Sequence, residues 1–307
     1  MRNSVKKIPV YTFDWDDNIL HMPTKIKMDK KVGDSWEPLD VDPAEFALIR
    51  GDKENYRIRN NDPVQAFDEF VDFGPRGDNA FFEDVLIALN KNDYGPSWEI
   101  FIGCLKEANL FSIVTSRSHE FSSIRRSIEY IIDLFSMEDK KEMYINCCNF
   151  GLNDLELDSL YAYEMRNRVE KLDFTNNFSK NGVISHYLNK CKYYGVGLPF
   201  SNSFKEEFNI DDTLKVSIQE AKKMALGKML SISDEMFTKI YNNGDLEVFN
   251  LGFSDDDKKT TELIKDFFSE SSKSFRGSKL CVYDTSDRKI KGGNKTKYFV
   301  NYKTQTA

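Results

Sequence analysis

The sequence predicts an α/β fold: a Rossmann-like parallel sheet with helices on both faces, interrupted by insertions that form a cap or subdomain. Three observations predict it. Short β-branched and aromatic runs alternate with longer stretches of helical spacing, the pattern of strands joined by helical crossovers. Three of the apolar runs end in polar clusters, and sites in such sheets lie beyond the carboxyl ends of the strands. The 307 residues also exceed the usual single-domain length, which favours one core with large insertions or two domains.

Residues 8–14 (IPVYTFD) end in acid and read as a buried strand with carboxylates at its tip. Residues 22–60 alternate unevenly and carry turn signals at 31–34 (KVGD) and Asp42-Pro43, which predicts a hairpin flap. Helical spacing follows at 62–73 and 79–90, with a Gly74-Pro75-Arg76-Gly77 loop between. An amphipathic helix is expected over 97–109, with Ser97 as its N-cap.

LFSIVTSR (110–117) is a second apolar strand ending in hydroxyls, and a helix follows at 119–135. Residues 136–212 read as irregular, with helical segments at 154–171 and 181–194 and a Gly-, Pro-, Ser- and Asn-rich loop at 195–203. Helical periodicity returns at 213–230 and 232–242. LEVFNL (246–251) is a third strand, which Gly252 is expected to end. A helix at 259–269 and a strand at 279–284 complete the pattern, and the basic tail at 288–307 reads as solvated or frayed. The core is therefore assigned to 1–22, 97–135 and 213–307, with insertions at 23–96 and 136–212 as cap regions.

Composition excludes several classes. A net charge of −7 and a pI of about 5.3 disfavour a broad nucleic-acid surface, though not a local basic groove. Five cysteines without a CxxC pair suggest free thiols in a reducing compartment. Three histidines without ligand spacing disfavour zinc. No apolar stretch approaches the roughly 20 residues of a membrane span, and the start of the chain does not read as a signal peptide. The cytoplasm, or a host cytoplasm for a viral protein, is the expected location. Neither a GxxxxGK[ST] loop nor a GxGxxG after a strand occurs.

The chemistry is concentrated at three strand ends. In Asp14-Trp15-Asp16-Asp17-Asn18, alternate residues project to one side, so Asp14 and Asp16 converge. Two close carboxylates repel unless one is protonated or a cation lies between them. One can serve as a nucleophile and the other as general acid and base. The same string also suits a solvated, helix-capping turn. Trp15, if it points away from the site, belongs to the core. Thr115-Ser116-Arg117 offers hydroxyls to a phosphoryl group, or a helix N-cap. Gly252-Phe253-Ser254-Asp255-Asp256-Asp257 offers oxygen ligands to magnesium, or a capped helix start.

Together the three clusters resemble the haloacid dehalogenase superfamily of phosphohydrolases. Its pattern is hhhDxDx(T)(L/V), then hhh(T/S), then a lysine, then an acidic pair after a hydrophobic strand. Here YTFDWDDNIL (11–20), FSIVTSR (111–117), a lysine within 215–228 and EVFNLGFSDDD (247–257) correspond. The resemblance implies a Mg²⁺-dependent phosphatase acting through an aspartyl-phosphate on a phosphorylated small molecule or nucleotide. It implies Asp14 as nucleophile and Asp16 as acid/base and, through its backbone carbonyl, a magnesium ligand. Thr115, or Ser116, would bind the phosphoryl group, and Asp255 and Asp256 would hold the cation. The lysine is assigned to Lys222, with Lys215, Lys223 and Lys228 as competitors.

Two departures stand out. Asn18 occupies a position where the family often has threonine, although asparagine can still bond the loop backbone. GFSDDD replaces the commoner GD start, which leaves Asp257 as a third cation ligand to weigh. Among insertion residues, Arg50, Arg57, Arg59 and Arg76 can meet a second anionic group of the substrate or serve as surface charges. His21 and His119 follow the first two motifs and can line the entrance. Tyr193, Tyr194 and Phe200 suit base stacking or, more simply, core packing. A nucleic-acid end-processing phosphatase and a non-catalytic binding protein of the same fold are the competing readings.

Overall fold

The computed structural model describes residues 7–154, 166–167, 169, 174–175, 177–211, 214–240, 248–271, 279–287 and 293–299. The first strand, β1 (Lys7–Phe13), is central. It is followed by a small unit containing β2 (Ile26–Val32), β3 (Ser35–Val41), α1 (Pro43–Ile49), β4 (Tyr56–Ile58) and α2 (Pro63–Ala66). Then come α3 (Ala80–Lys91), α4 (Trp98–Lys106), β5 (Leu110–Thr115), α5 (Phe121–Asp133) and α6 (Met137–Asp154). The remainder is α7 (Gly182–Lys190), β6 (Lys192–Gly195), α8 (Asn202–Phe208), α9 (Ile218–Ile240), β7 (Val248–Asp255), α10 (Lys258–Ser271), β8 (Lys279–Asp284) and β9 (Asn294–Phe299).

The main sheet has the order β6-β5-β1-β7-β8-β9. Its first five strands are parallel, and β9 closes the β8 edge antiparallel. The fold is thus the α/β, Rossmann-like sheet that the alternating pattern predicts. The chain leaves β1 on one side to build β5 and β6, then crosses to build β7 and β8 on the other. Such a reversal opens a crevice at the carboxyl ends of the central strands. Register sets the crevice: Phe13 lies opposite Ile113 of β5 and Ser254 of β7. Asp14 and Asp255, the next residues, and Thr115, two past Ile113, are brought to one edge.

The segment 23–96 carries its own three-stranded sheet, β3-β2-β4, with Ile26, Met28, Val41 and Phe70 buried together apart from the main core. The turn expected at 31–34 is the β2–β3 hairpin, where Gly33 takes the left-handed φ of 60°. Asp42-Pro43 starts a helix rather than a simple turn. Asp42 accepts from the Glu45 N–H while Glu45 reaches back to the Asp42 N–H, a capping box that a proline in the first turn favours. The helix expected over 62–73 stops at Ala66. Phe67 and Phe70 turn into the small core, and the Phe70 carbonyl accepts from Ser118 N–H at 2.9 Å, so tertiary contacts override the spacing.

Other elements depart from expectation in the same way. The described helices and strand of the segment 136–212, expected as a second cap, pack into the core. α6 and α7 bury Met143, Tyr144, Cys147, Ile184, Tyr187 and Leu188 in the main cluster, and β6 pairs with β5. The predicted helix at 181–194 ends at Lys190, because Lys192–Gly195 is captured as an edge strand. Tyr193, Tyr194 and Phe200 are buried there as core, not exposed for stacking. The segment at 154–171 lies largely outside the described residues.

The two predicted helices at 213–242 form one, which starts at Ile218 after a Ser217–Glu220 capping box. Gly252 does not end β7: it sits within the ladder between Tyr11 and Cys281, and the strand runs on to Asp255. Pairing on both sides outweighs the weak strand preference of glycine. The tail, read as frayed, supplies β9. All five cysteines are buried free thiols. No described helix is long and apolar enough to cross a membrane.

Candidate active site

Asp14 is the first residue past β1. Its N–H donates to the Ser254 carbonyl at 2.9 Å, extending the β1–β7 ladder by one step and placing Asp14 beside Asp255. The turn that follows is fixed by Asn18. Its amide donates to the Asp14 carbonyl at 2.9 Å and to Ser254 Oγ at 2.9 Å, and its oxygen accepts from Ser97 Oγ at 2.7 Å. Asn18 thus bonds the loop backbone, as its position after the acidic turn allows. Asp17 takes a left-handed φ of 54°, which a short polar side chain tolerates. Trp15 points away from the site, fully buried against Phe81 and Phe101.

Lys222, in the second turn of α9, reaches the strand ends. Its Nζ donates to Asp14 Oδ1 at 3.0 Å and to Asp255 Oδ2 at 2.6 Å. All three side chains are almost fully buried. Carboxylate oxygens of Asp14, Asp255 and Asp256 lie within 4.8 Å of one another. The three competing lysines are elsewhere: Lys215 and Lys228 are exposed, Lys223 is half-buried, and Lys228 pairs with Glu207.

Two acids therefore share one ammonium, and a third crowds the same space. Burial pushes Asp14 well above the usual carboxylate range, and Asp255 and Asp256 add to the rise while Lys222 opposes it. Asp255 rises for the same first reason, again against Lys222. Asp256 is pushed up to about 8 by burial and by Asp255 and Asp17. Burial opposes the charge on Lys222, but Asp14 and Asp255 outweigh it and hold the ammonium protonated. The set is oxygen-only and carries excess negative charge, which fits a hard divalent cation such as Mg²⁺.

Asp16 has a different partner. Both its oxygens accept from Arg117, Oδ2 from Nε and Oδ1 from Nη2, each at 2.7 Å. Its side chain is thus not part of the Asp14–Asp255–Asp256 group. Thr115 is fully buried at the tip of β5, and its hydroxyl has only long contacts, 3.5 Å to Asp16 and 3.4 Å from Arg117 N–H. Ser116 is exposed beside it. The loop after β6 supports this turn: Gly197 N–H donates to the Arg117 carbonyl at 2.9 Å. A Cβ on Gly197 would stand 2.4 Å from the Ser116 carbonyl, so only glycine permits the approach.

The remaining sequence candidates are occupied by neighbours. Asp257 donates its N–H to Asp255 Oδ1 at 2.9 Å and pairs with Arg50 at 3.2 Å. Arg57 and Arg59 pair with Asp29, and Arg76 with Asp84, Glu69 and Glu83. His21 bonds Asp17 at 2.6 Å, and His119 is buried on Asp72 at 2.7 Å. Burial, with Arg117 nearby, lowers the His119 pKa against the pull of Asp72. Ser97, expected as a helix N-cap, makes no side-chain cap bond and gives its hydroxyl to Asn18 instead, and sequence reasoning gave no role to Arg117 or Thr24. The available signal was an arginine two residues past a strand-end threonine, whose burial only the structure shows. No family model, curated protein or solved structure matches the chain.

Proposed function

We propose that the protein is a Mg²⁺-dependent phosphatase that hydrolyses phosphomonoesters of a small molecule or nucleotide through Asp14. The observation that carries this is the Lys222 ammonium bridging Asp14 and Asp255, 3.0 and 2.6 Å away, at the edge of adjacent parallel strands. Nucleophile, counter-charge and oxygen ligands thereby come from three distant parts of the chain to one point, in the order that the haloacid dehalogenase pattern requires.

In this reading an Asp14 oxygen attacks phosphorus and the ester P–O bond breaks. Asp16 gives the departing oxygen a proton. Water then attacks the aspartyl-phosphate, Asp16 takes a proton from that water, and the Asp14–phosphorus bond breaks to release phosphate. Lys222 stabilises charge on the phosphoryl oxygens. The hydroxyls of Thr115 and Ser116 orient the phosphoryl group. Asp14, Asp255 and Asp256 would hold the cation, which supplies further positive charge to the phosphoryl oxygens when bound. The 23–96 unit is the cap in this scheme. Arg50, Arg57, Arg59 and Arg76 are each engaged by acids, so these four do not furnish a basic groove for a nucleic-acid strand.

The test is phosphate release from a panel of phosphomonoesters, with and without Mg²⁺, by the wild type and Asp14→Asn. Magnesium-dependent release that vanishes in a folded variant is expected. Release retained in Asp14→Asn removes Asp14 from the role, and silence of the wild type across the panel overturns the reading.

A further inference from the structure

Arg117 is fully buried, yet nothing in the phosphatase scheme above uses it. Its guanidinium is held from four directions. Nε and Nη2 grip the two oxygens of Asp16 at 2.7 Å each. Nη2 also donates to Thr24 Oγ1 at 2.7 Å. The plane lies 4.5 Å from the Phe70 ring and 5.5 Å from the Phe81 ring, distances at which an aromatic face attracts a cation. The Thr24 hydroxyl in turn donates to Asp84, and Arg76 grips both Asp84 oxygens at 2.8 and 3.0 Å. Thr24, Phe70 and Arg76 belong to the 23–96 unit, and Asp84 and Phe81 to its last helix α3, whose Phe81 packs into the main core, whereas Arg117 and Asp16 follow strands of the main sheet.

We propose that Arg117 is a positioning residue that couples the 23–96 unit to Asp16, so that the unit sets the aim of the proton-transferring carboxyl. The inference rests on the phosphatase reading. A carboxylate offers about four lone-pair sites, and the guanidinium takes one on each oxygen, leaving one on each for the proton that Asp16 transfers. A side-on, two-point grip fixes the plane of the carboxyl, which a single-point cation would not. Thr24 fixes the guanidinium in its turn. The unit therefore acts on the chemistry through a chain of side chains, Arg76–Asp84–Thr24–Arg117–Asp16, in addition to covering the crevice.

Proton delivery by Asp16 matters most when the leaving group is a poor one. In the step concerned, Asp14 bonds to phosphorus, the ester bond breaks, and the Asp16 proton goes to the departing oxygen. An alkoxide needs that proton, whereas 4-nitrophenolate leaves without it. The experiment measures kcat/KM for benzyl phosphate and 4-nitrophenyl phosphate with the wild type, Asp16→Asn, Arg117→Lys and Thr24→Val, all in Mg²⁺.

Asp16→Asn should lose about 100-fold or more on benzyl phosphate and less than about tenfold on the nitrophenyl ester. Arg117→Lys should show the same skew. Thr24→Val, which reaches Asp16 only through Arg117 and removes one hydroxyl, should show it in smaller measure and serves if the arginine variant does not fold. Equal losses on both esters in Thr24→Val, or no loss, overturn the inference while leaving the phosphatase reading intact. A wild type that cleaves neither ester nor any of the wider panel overturns both.

Discussion

Asp14 and Asp16 stand two residues apart on one turn, yet the protein surrounds them differently. Asp14 is buried and shares one ammonium with Asp255, while Asp256 crowds the same space. Asp16 is partly open to solvent and has a guanidinium gripping both its oxygens. The Asp14 side is short of positive charge, and the Asp16 side is balanced. The difference teaches that neighbouring acids of one motif can be prepared for separate tasks by the cations that other segments bring to them. One lies in a buried acidic cluster with a single ammonium, and the other is held in a fixed orientation by two bonds from a guanidinium.

The largest effect should come from taking the shared ammonium away. Lys222→Met leaves Asp14 and Asp255 buried without a counter-charge, which costs about 3–5 kcal/mol when a buried pair is broken from one side. Both acids already have raised pKa values, burial being the main cause. A carboxyl whose folded-state pKa is raised stabilises the fold below its unfolded value and loses that contribution as pH rises through the folded value. The deficit of the variant should therefore be wider at about pH 8 than at about pH 5. Urea unfolding at the two pH values measures it, and a deficit independent of pH would mean that the two acids are not the cause. Turnover should be lost at either pH.

A smaller effect should appear when the missing positive charge is supplied instead. Asp256, pushed up to about 8 by burial and by Asp255 and Asp17, holds its proton at neutral pH in the metal-free protein. A cation must displace that proton, so affinity should rise with pH. In a thermal-shift titration, millimolar Mg²⁺ should raise Tm more at about pH 8.5 than at about pH 6. Asp256→Asn should flatten that pH dependence. A shift that is the same at both pH values would separate Asp256 from the cation site.

Much of this site was legible in the sequence, for reasons particular to each residue. β1, β5 and β7 are apolar runs that end in acid or hydroxyl, so Asp14, Asp16, Thr115 and Asp255 could be placed at strand ends before the sheet was assembled. Lys222 was one of several lysines on a helix. Only the crossing of α9 behind the strand ends separates it from exposed Lys215 and Lys228. Arg117 stood in plain view within TSR, but its role depends on Thr24 and Phe70, 93 and 47 residues upstream, which no local spacing records. The β6 and β9 strands were hidden likewise. Each is an edge strand whose pairing with a neighbour, rather than its own composition, makes it a strand.

The smallest effect should lie where the 23–96 unit meets the acidic motif at the surface. Arg50, the C-cap of α1, pairs with Asp257 at 3.2 Å, with its side chain 41% exposed. Water and salt screen such a pair, which typically contributes less than about 1 kcal/mol. Asp257 also keeps its other work without Arg50: it accepts from the Lys259 N–H at 3.0 Å at the start of α10. Arg50→Ala should therefore lower stability by less than about 1 kcal/mol in urea unfolding, with the difference fading at high salt. The contrast with Lys222→Met is the point, because both variants delete a cation from an aspartate of the same acidic run. A loss of several kcal/mol in Arg50→Ala would mean that the pair is desolvated, and that the unit is fastened as firmly at this edge as it is at Arg117.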